Sequence, residues 1–273
     1  MMTALSYYGL SFNPFDKQQV KEKDRFLSQD LQEMLNRLDY LKDTRGIGVF
    51  TAGPGMGKSF ALRCFSKTLN PNLYHMEYIC LSTVSVMEFY RQFCQVLGVE
   101  AKGGKPGMFD AIQNQIFHLY KEKRQPLLLA VDEAQYLSTA ILNDIKMLMN
   151  YRYDSVNCFT LILCGEPYLN NTLRKPVHEA LRQRITVHYT FSGLSDAEVA
   201  DYVRHKLVCA GGAETIMLFP PSTATPRATP ESWTTSCPTH SSWALRWIRK
   251  PLTLIPSSPL SADATLFDFF IYA

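Results

Sequence analysis

Short apolar runs alternate with longer amphipathic segments over the first 212 residues. The apolar runs predict five strands, at 47–51, 73–81, 127–131, 157–164 and 185–190. Apolar residues at helical spacing predict helices over 30–41, 60–69, 86–97, 109–120, 137–149 and 195–208. Strands that alternate with helices are typical of a parallel sheet, because each parallel neighbour needs a crossover connection. We therefore expect an α/β fold with a five-stranded parallel sheet covered by helices on both faces.

Local signals indicate where some of these helices begin. Asp30 and Glu33 resemble a capping box at the first helix, and Ser195 with Glu198 predicts one at the last. The segment from Gly103 to Gly107 interrupts the apolar period. We therefore expect the helix over 109–120 to begin after this segment.

The two ends of the chain differ from its middle, residues 28–212. Residues 1–27 form an aromatic arm around Asn13-Pro14, with rings at Tyr7, Tyr8, Phe12, Phe15 and Phe26. The arm either packs on the domain through these rings or lies against an adenine ring. Residues 213–273 form an irregular tail that is rich in Pro, Ser and Thr. This tail holds eight of the 15 prolines and all three tryptophans, and it shows no helical period.

A shifted reading frame is one hypothesis for the tail. Residues 226–233 can be encoded by bases that read, two bases along, as Gln-Gly-Asn-Pro-Arg-Val-Met. The shifted peptide has helical character, although codon degeneracy permits many alternatives. On this hypothesis a frameshift near residues 214–220 replaced the true carboxyl region. The coding DNA tests it, because the hypothesis requires an alternative frame with a helical peptide there.

Composition excludes few classes of protein. The 273 residues are 46% apolar and 19% charged, which is enough for a sizeable core. A net charge of +3 does not by itself indicate nucleic-acid binding. No apolar run is long enough for a membrane segment, and residues 1–15 lack the features of a secretory signal. The seven cysteines form no Cys-x-x-Cys pair, so we expect reduced thiols in a cytoplasmic protein.

A glycine-rich stretch, Ala-Gly-Pro-Gly-Met-Gly-Lys-Ser at 52–59, separates the first predicted strand from a helix. That is the context of a phosphate-binding P-loop, although a plain glycine-rich turn is the alternative. Lys58 would reach the outer phosphates, and the Ser59 hydroxyl would bind Mg²⁺. Ala52 replaces the usual first glycine, which we treat as a tolerated variant. The expected ATP-binding residues are Ala52, Gly53, Pro54, Gly55, Met56, Gly57, Lys58, Ser59 and Phe60.

Two carboxylates follow the strand over 127–131. In open α/β sheets, ligands bind outside the carboxyl ends of the strands. We expect Asp132 to hold Mg²⁺, directly or through water, and Glu133 to orient and polarise the attacking water. An acidic pair after a strand is often only a helix start, but the P-loop upstream favours the catalytic interpretation.

Several short segments, taken in order, resemble one branch of the AAA+ ATPases. They are Tyr7-Tyr8-Gly9-Leu10, Asn13-Pro14-Phe15, the P-loop, Val131-Asp-Glu-Ala-Gln135 and Leu181-Arg-Gln-Arg-Ile185. The resemblance covers roughly residues 5–212. This branch includes the ExeA-type secretion ATPases and the TnsC/TniB-like helpers of DNA transposition.

The resemblance implies a P-loop NTPase that forms a homo-oligomer, with each ATP between two subunits. It implies an arginine supplied to the neighbouring site, with Arg184 as first candidate and Arg182 as second; surface ion pairs are the alternative for both. It also implies a polar sensor after the fourth strand, where Glu166 is either that sensor or an exposed loop residue. By this resemblance, we expect the helical lid of such proteins to be missing or disrupted in residues 213–273.

Three functions are consistent with these features. The first is a transposition helper that binds ATP and DNA and recruits or activates a transposase. The second is an ExeA-type secretion ATPase; those proteins continue into a transmembrane segment and a wall-binding region, so the first function is favoured. The third is a non-functional relic that only binds nucleotide.

Overall fold

A computed structural model describes residues 5, 9–16, 22–80, 85–151 and 156–212. The tail with its hypothetical frameshift, the lid, and Tyr7 and Tyr8 of the arm lie outside these residues. The chain divides into two compact units. One is Leu31–Phe191, and the other combines Met1–Asp30 with Ser192–Ala273.

The larger unit is built on one sheet of five parallel strands. The strands are β1 (Ile47–Thr51), β2 (His75–Cys80), β3 (Leu127–Asp132), β4 (Phe159–Gly165) and β5 (Ile185–Thr190). Their order across the sheet is β2-β3-β4-β1-β5. The predicted five-stranded parallel sheet is confirmed, and the predicted bounds of β1 and β5 agree with the observed ones.

Eight described helices precede, connect or follow these strands. In chain order they are α1 (Gln29–Thr44), α2 (Lys58–Thr68), α3 (Val86–Leu97), α4 (Gly104–Lys121), α5 (Thr139–Leu148), α6 (Tyr168–Leu173), α7 (Glu179–Arg182) and α8 (Asp196–Cys209). Short 3₁₀ turns lie at Glu22–Asp24, Ala134–Tyr136 and Pro176–His178. Among the described helices, none has both the length and the apolar character needed to cross a bilayer.

Each face of the sheet packs into its own apolar core. Leu127, Leu129 and Val131 of β3 pack with residues of α3, α4 and α5. Leu128 and Ala130 of the same strand pack with residues of α1 and α2 on the opposite face. Successive strand residues point to opposite faces, so a strand that is buried on both reads as an unbroken apolar run. The prediction of helices on both faces is confirmed.

Helix α4 begins five residues earlier than its apolar period indicated. Gly103 is the N-cap in a left-handed conformation (φ +74°), and Gly104 starts the helix. Pro106 falls in the first turn, where a missing N–H leaves no intrahelical bond unmade. A Cβ on Gly107 would lie 2.5 Å from the carbonyl oxygen of Lys102. The expectation of a helix start after Gly107 was therefore wrong, because these glycines shape the first turn rather than preclude it.

The smaller unit contains α8 and the described part of the arm. The predicted capping box of α8 is confirmed: Ser195 Oγ accepts from the Glu198 N–H, and the Glu198 carboxylate accepts from the Ser195 N–H. Phe12 and Phe15 pack on a small cluster that includes Leu10, Val203 and Leu207. Phe26 meets Tyr202 edge-on, with ring centroids 5.7 Å apart. These contacts favour apolar packing over adenine stacking for the described rings of the arm.

Candidate nucleotide-binding site

The carboxyl ends of β3, β4 and β1 lie side by side, because these strands are neighbours in the sheet. The loop that follows β1 and the carboxylates that end β3 therefore flank the end of β4. The Ala52 N–H donates to the carbonyl of Gly165 at 3.0 Å, which extends the β1–β4 ladder by one residue. The sheet thus brings together two segments that are 80 residues apart in sequence.

Glycine is required at two positions of the loop. Gly55 (φ +75°) and Gly57 (φ +91°) adopt left-handed backbone conformations that strain other residues. A Cβ on either one would meet nothing within 4 Å, so the conformation rather than crowding selects glycine. Ala52 is buried, continues the strand and lies outside the left-handed region. This explains why the first position of the motif tolerates alanine.

Helix α2 presents its amino terminus to this loop. It begins at Lys58, and its N-cap, Gly57, provides no side-chain hydrogen bond. The first-turn N–H groups of a helix carry a partial positive charge and suit a phosphate ligand. Phe60, in the same turn, is half-buried and packs against the core beneath the guanidinium of Arg63. Its contribution to ATP binding, predicted from sequence, would come from its backbone.

The Lys58 ammonium lies within the loop. Its Nζ donates to the carbonyl oxygens of Ala52 at 2.9 Å and Gly53 at 3.1 Å, and only 7% of the residue is exposed. The Gly53 N–H is directed at the Met56 thioether, 3.1 Å away. The ammonium therefore lies against the same backbone whose glycines shape the loop.

Ser59 and Asp132 are in direct contact. Ser59 Oγ donates to Asp132 Oδ2 at 2.6 Å, and the carboxylate is almost fully buried. Its other oxygen, Oδ1, accepts from the Glu133 N–H at 2.9 Å. A serine hydroxyl that donates its single proton keeps lone pairs for a cation, and Mg²⁺ prefers oxygen ligands. These oxygen groups therefore fit a magnesium site, with Ser59 and Asp132 as the residues that would hold the ion.

Tyr78 also contacts Asp132, and no sequence pattern pointed to it. Its phenol donates to Oδ2 at 2.9 Å, from the strand that neighbours β3. Burial, and then the hydrogen bond to Asp132, raise the pKa of Tyr78. Only the position of β2 beside β3 identifies this contact.

Glu133 has an unusual backbone conformation. It lies in the left-handed region (φ +54°), which is uncommon for a residue with a long side chain. Its Oε2 accepts from Nε2 of Gln135 at 2.7 Å. The predicted water-activating carboxylate thus adjoins Asp132 and is held by a neutral donor.

Glu166 contributes its backbone to the site. Its N–H donates to Oε1 of Gln135 at 3.0 Å, while its side chain is half-buried. A second polar group adjoins the loop: Asn170 of α6 donates to Thr51 Oγ1 at 3.1 Å and contacts His188 Nε2 at 2.8 Å. Sequence patterns did not identify Asn170.

The two candidate arginines lie away from these groups in the same chain. Both precede β5, whose amino end pairs with Ile47 and whose carboxyl end pairs with Thr51. Six residues of strand, about 20 Å, separate the two ends. The guanidinium of Arg182 donates to the carbonyls of Leu173 at 3.0 Å and of Arg174 and Lys175, where α6 ends. Arg182 therefore acts as a helix cap.

Residues 41–173 match a family model described as AAA domain. General secretion pathway protein A of Aeromonas hydrophila is 31% identical over 214 residues, which cover 77% of this chain and 38% of that protein. The ADP form of the Aeropyrum pernix ORC2 protein superposes with a TM-score of 0.53 at 14% identity, over 75% of this chain and 57% of that one. The A. pernix ORC1 protein in complex with DNA gives a TM-score of 0.51 at 14% identity, over 67% and 50%.

The sheet and the loop have the fold of the P-loop nucleoside triphosphatases, and residues 41–173 match the AAA domain model. The two archaeal structures support the fold alone, because their sequences are distant. The chain spans 38% of the length of the secretion-pathway relative.

Proposed function

We propose that this chain binds MgATP at residues 52–60 and hydrolyses it with Glu133 as the water-activating group. One observation carries the proposal: the 2.6 Å contact between Ser59 and Asp132 joins the phosphate loop to the acidic end of β3. The open left-handed glycines and the Lys58 ammonium support it, since both suit a polyphosphate.

Each residue then has a distinct task. The loop backbone and the first turn of α2 hold the phosphates, and Lys58 exchanges its carbonyl partners for phosphate oxygens. Ser59 and Asp132 would hold Mg²⁺, which when bound would supply positive charge to the phosphate oxygens. Glu133 accepts the proton of the attacking water through a carboxylate oxygen.

We propose Arg184 rather than Arg182 as the arginine that serves a neighbouring subunit. Arg182 already binds backbone carbonyls at the end of α6, and its removal would disturb that turn. Arg184 lies about 20 Å from the loop of its own chain, as a residue that acts on another subunit must. If so, Arg184→Ala subunits, inactive alone, should recover turnover when mixed with inactive Glu133→Gln subunits. A lack of recovery in mixed oligomers would contradict this role.

The magnesium assignment predicts a specific defect for Ser59→Ala. Removing the hydroxyl should raise the Mg²⁺ concentration for half-maximal ATP turnover by about 10-fold or more, because one oxygen ligand is lost. The measurement is a Mg²⁺ titration of turnover at saturating ATP. Ser66→Ala is the matched control, since Ser66 is exposed on the same helix. An unchanged Mg²⁺ requirement in Ser59→Ala would remove Ser59 from the metal site.

The cellular role is a second question. The relative that is 31% identical is a general secretion pathway protein, and this favours an ExeA-type secretion ATPase. The chain spans 38% of the length of that relative, so the partners of the relative can be assigned to this chain only by experiment. The transposition helper, with DNA and a transposase as partners, stays a prediction from the resemblance. ATP-dependent retention of DNA on filters would favour the helper, and its absence would exclude DNA as a partner.

The relic hypothesis has a simple test. If the full chain shows no ATP turnover above that of its Glu133→Gln variant, the chain only binds nucleotide. Turnover that depends on both Mg²⁺ and Glu133 would exclude the relic.

A further inference from the structure

We propose that Gln135 is a positioning residue that orients the Glu133 carboxylate and fixes it to the end of β4. This inference rests on the proposed role of Glu133 in ATP hydrolysis. Gln135 lies in the 3₁₀ turn Ala134–Tyr136, directly after β3. Its amide bridges two groups, with Nε2 donating to Glu133 Oε2 at 2.7 Å and Oε1 accepting from the Glu166 N–H at 3.0 Å.

The chemistry of the two partners fixes the orientation of the amide. A backbone N–H can only donate, so the carbonyl oxygen of Gln135 must face Glu166. The NH₂ group must then face Glu133, whose carboxylate can only accept. Neither a carboxylate nor a hydrocarbon at position 135 satisfies both partners. Glutamine is therefore matched to this bridge in length and polarity.

Gly165 gives a second, independent indication of this bridge. A Cβ at position 165 would lie 2.8 Å from Gln135 Oε1 and 3.2 Å from the Gln135 nitrogen. The backbone of Gly165 is outside the left-handed region, so close approach rather than conformation requires glycine here. The end of β4 is thus shaped to receive the Gln135 side chain.

The bridge also connects Glu133 to the phosphate loop. Gly165, directly before Glu166, accepts a hydrogen bond from the Ala52 N–H at 3.0 Å. Contacts therefore run from the first residue of the loop, through the end of β4, to the Glu133 carboxylate. A carboxylate held in this way keeps a fixed position relative to a phosphate bound in the loop, which general-base catalysis requires.

The hydrogen bond from Gln135 engages only one oxygen of Glu133. Among the described residues, no donor contacts the other oxygen, Oε1. Gln135 would thus direct Oε1 towards the water, while Oε2 stays bound to the amide. The left-handed backbone of Glu133 makes this support necessary, because a strained residue persists only when its surroundings fix it.

Gln135→Leu tests the proposal, since leucine has a similar size and makes neither hydrogen bond. We expect kcat to fall about 10- to 100-fold, part of the contribution of a general base, while KM and the affinity for ATP change less than about 3-fold. Gln135→Glu, which cannot donate a hydrogen bond to Glu133, should likewise lower kcat and leave KM nearly unchanged. Gln32→Leu is the control, because Gln32 is exposed on α1.

A double variant separates positioning from general structural support. If Gln135 acts through Glu133, adding Gln135→Leu to Glu133→Gln should change the residual turnover less than about 2-fold. The proposal would be overturned if the kcat losses of the two single variants multiplied in the double variant. An unchanged kcat in Gln135→Leu would also overturn it. If Gln135→Leu fails to bind ATP, the same single and double variants are compared with Gln135→Glu in place of Gln135→Leu. A wild-type chain without turnover would instead contradict the proposed function, so the two failures are distinguishable.

Discussion

Replacement of Lys58 by alanine should remove most of the affinity for ATP. The ammonium is the one cationic side chain seen inside the loop, in the part of the chain that the structure describes. Its charge-assisted hydrogen bonds to phosphate should be worth about 1.5–3 kcal/mol, which corresponds to about 10- to 150-fold in affinity. Turnover at moderate ATP concentration should fall by at least as much.

The measurement is equilibrium binding of a fluorescent ATP analogue in the presence of Mg²⁺. Lys67→Ala is the matched control, because Lys67 is exposed in the last turn of the same helix. A thermal melt distinguishes loss of binding from loss of folding. Affinity equal to that of the wild type in a folded Lys58→Ala chain would refute the assignment of this loop to phosphate binding.

Replacement of Glu133 by glutamine should have the opposite profile, with ATP bound normally and turnover lost. The glutamine has the same size but is a far weaker base, so the water keeps its proton. General-base catalysis is typically worth about 10²- to 10⁴-fold, and kcat should fall by that amount. Mg²⁺ affinity should stay close to that of the wild type, because Ser59 and Asp132 keep their contact.

Steady-state turnover and ATP binding, measured on the same preparation, check this prediction. Glu100→Gln, an exposed surface change outside the site, provides the control. Persistent turnover in Glu133→Gln would mean that another group activates the water. Glu166, at the end of β4, would then be the first residue to examine.

The phosphate loop and the acidic pair could be predicted because each is a local pattern. Residues 52–59 lie between a strand and a helix that the sequence itself predicts, and Asp132-Glu133 directly follow a buried apolar run. Parallel strands place their carboxyl ends at one edge, so the fold class predicts that both segments lie at the same edge of the sheet.

Tyr78 and Gln135 could not be predicted in the same way. The contact of Tyr78 depends on β2 lying next to β3, and strand order across a sheet leaves no local mark in sequence. Gln135 lay inside the motif that supported the resemblance, but one of its two partners is the backbone N–H of Glu166, directly after β4. Residues whose roles depend on partners distant in sequence therefore emerged only from the structure.

The short helices before β5 were also missed, since α6 and α7 have six and four residues. Segments of that length show too little periodicity to stand out from a loop. The capping role of Arg182 depends on α6, and so the choice between Arg182 and Arg184 stayed open at the sequence level.

The position of the Lys58 ammonium has a consequence for how a nucleotide would enter. Since two carbonyls already hold the charge inside the loop, the folded chain has met the cost of its desolvation in advance. Arrival of a triphosphate would then require only an exchange of hydrogen-bond acceptors, with little loss of chain entropy. The Lys58 side chain therefore needs no rearrangement into the loop before a phosphate binds.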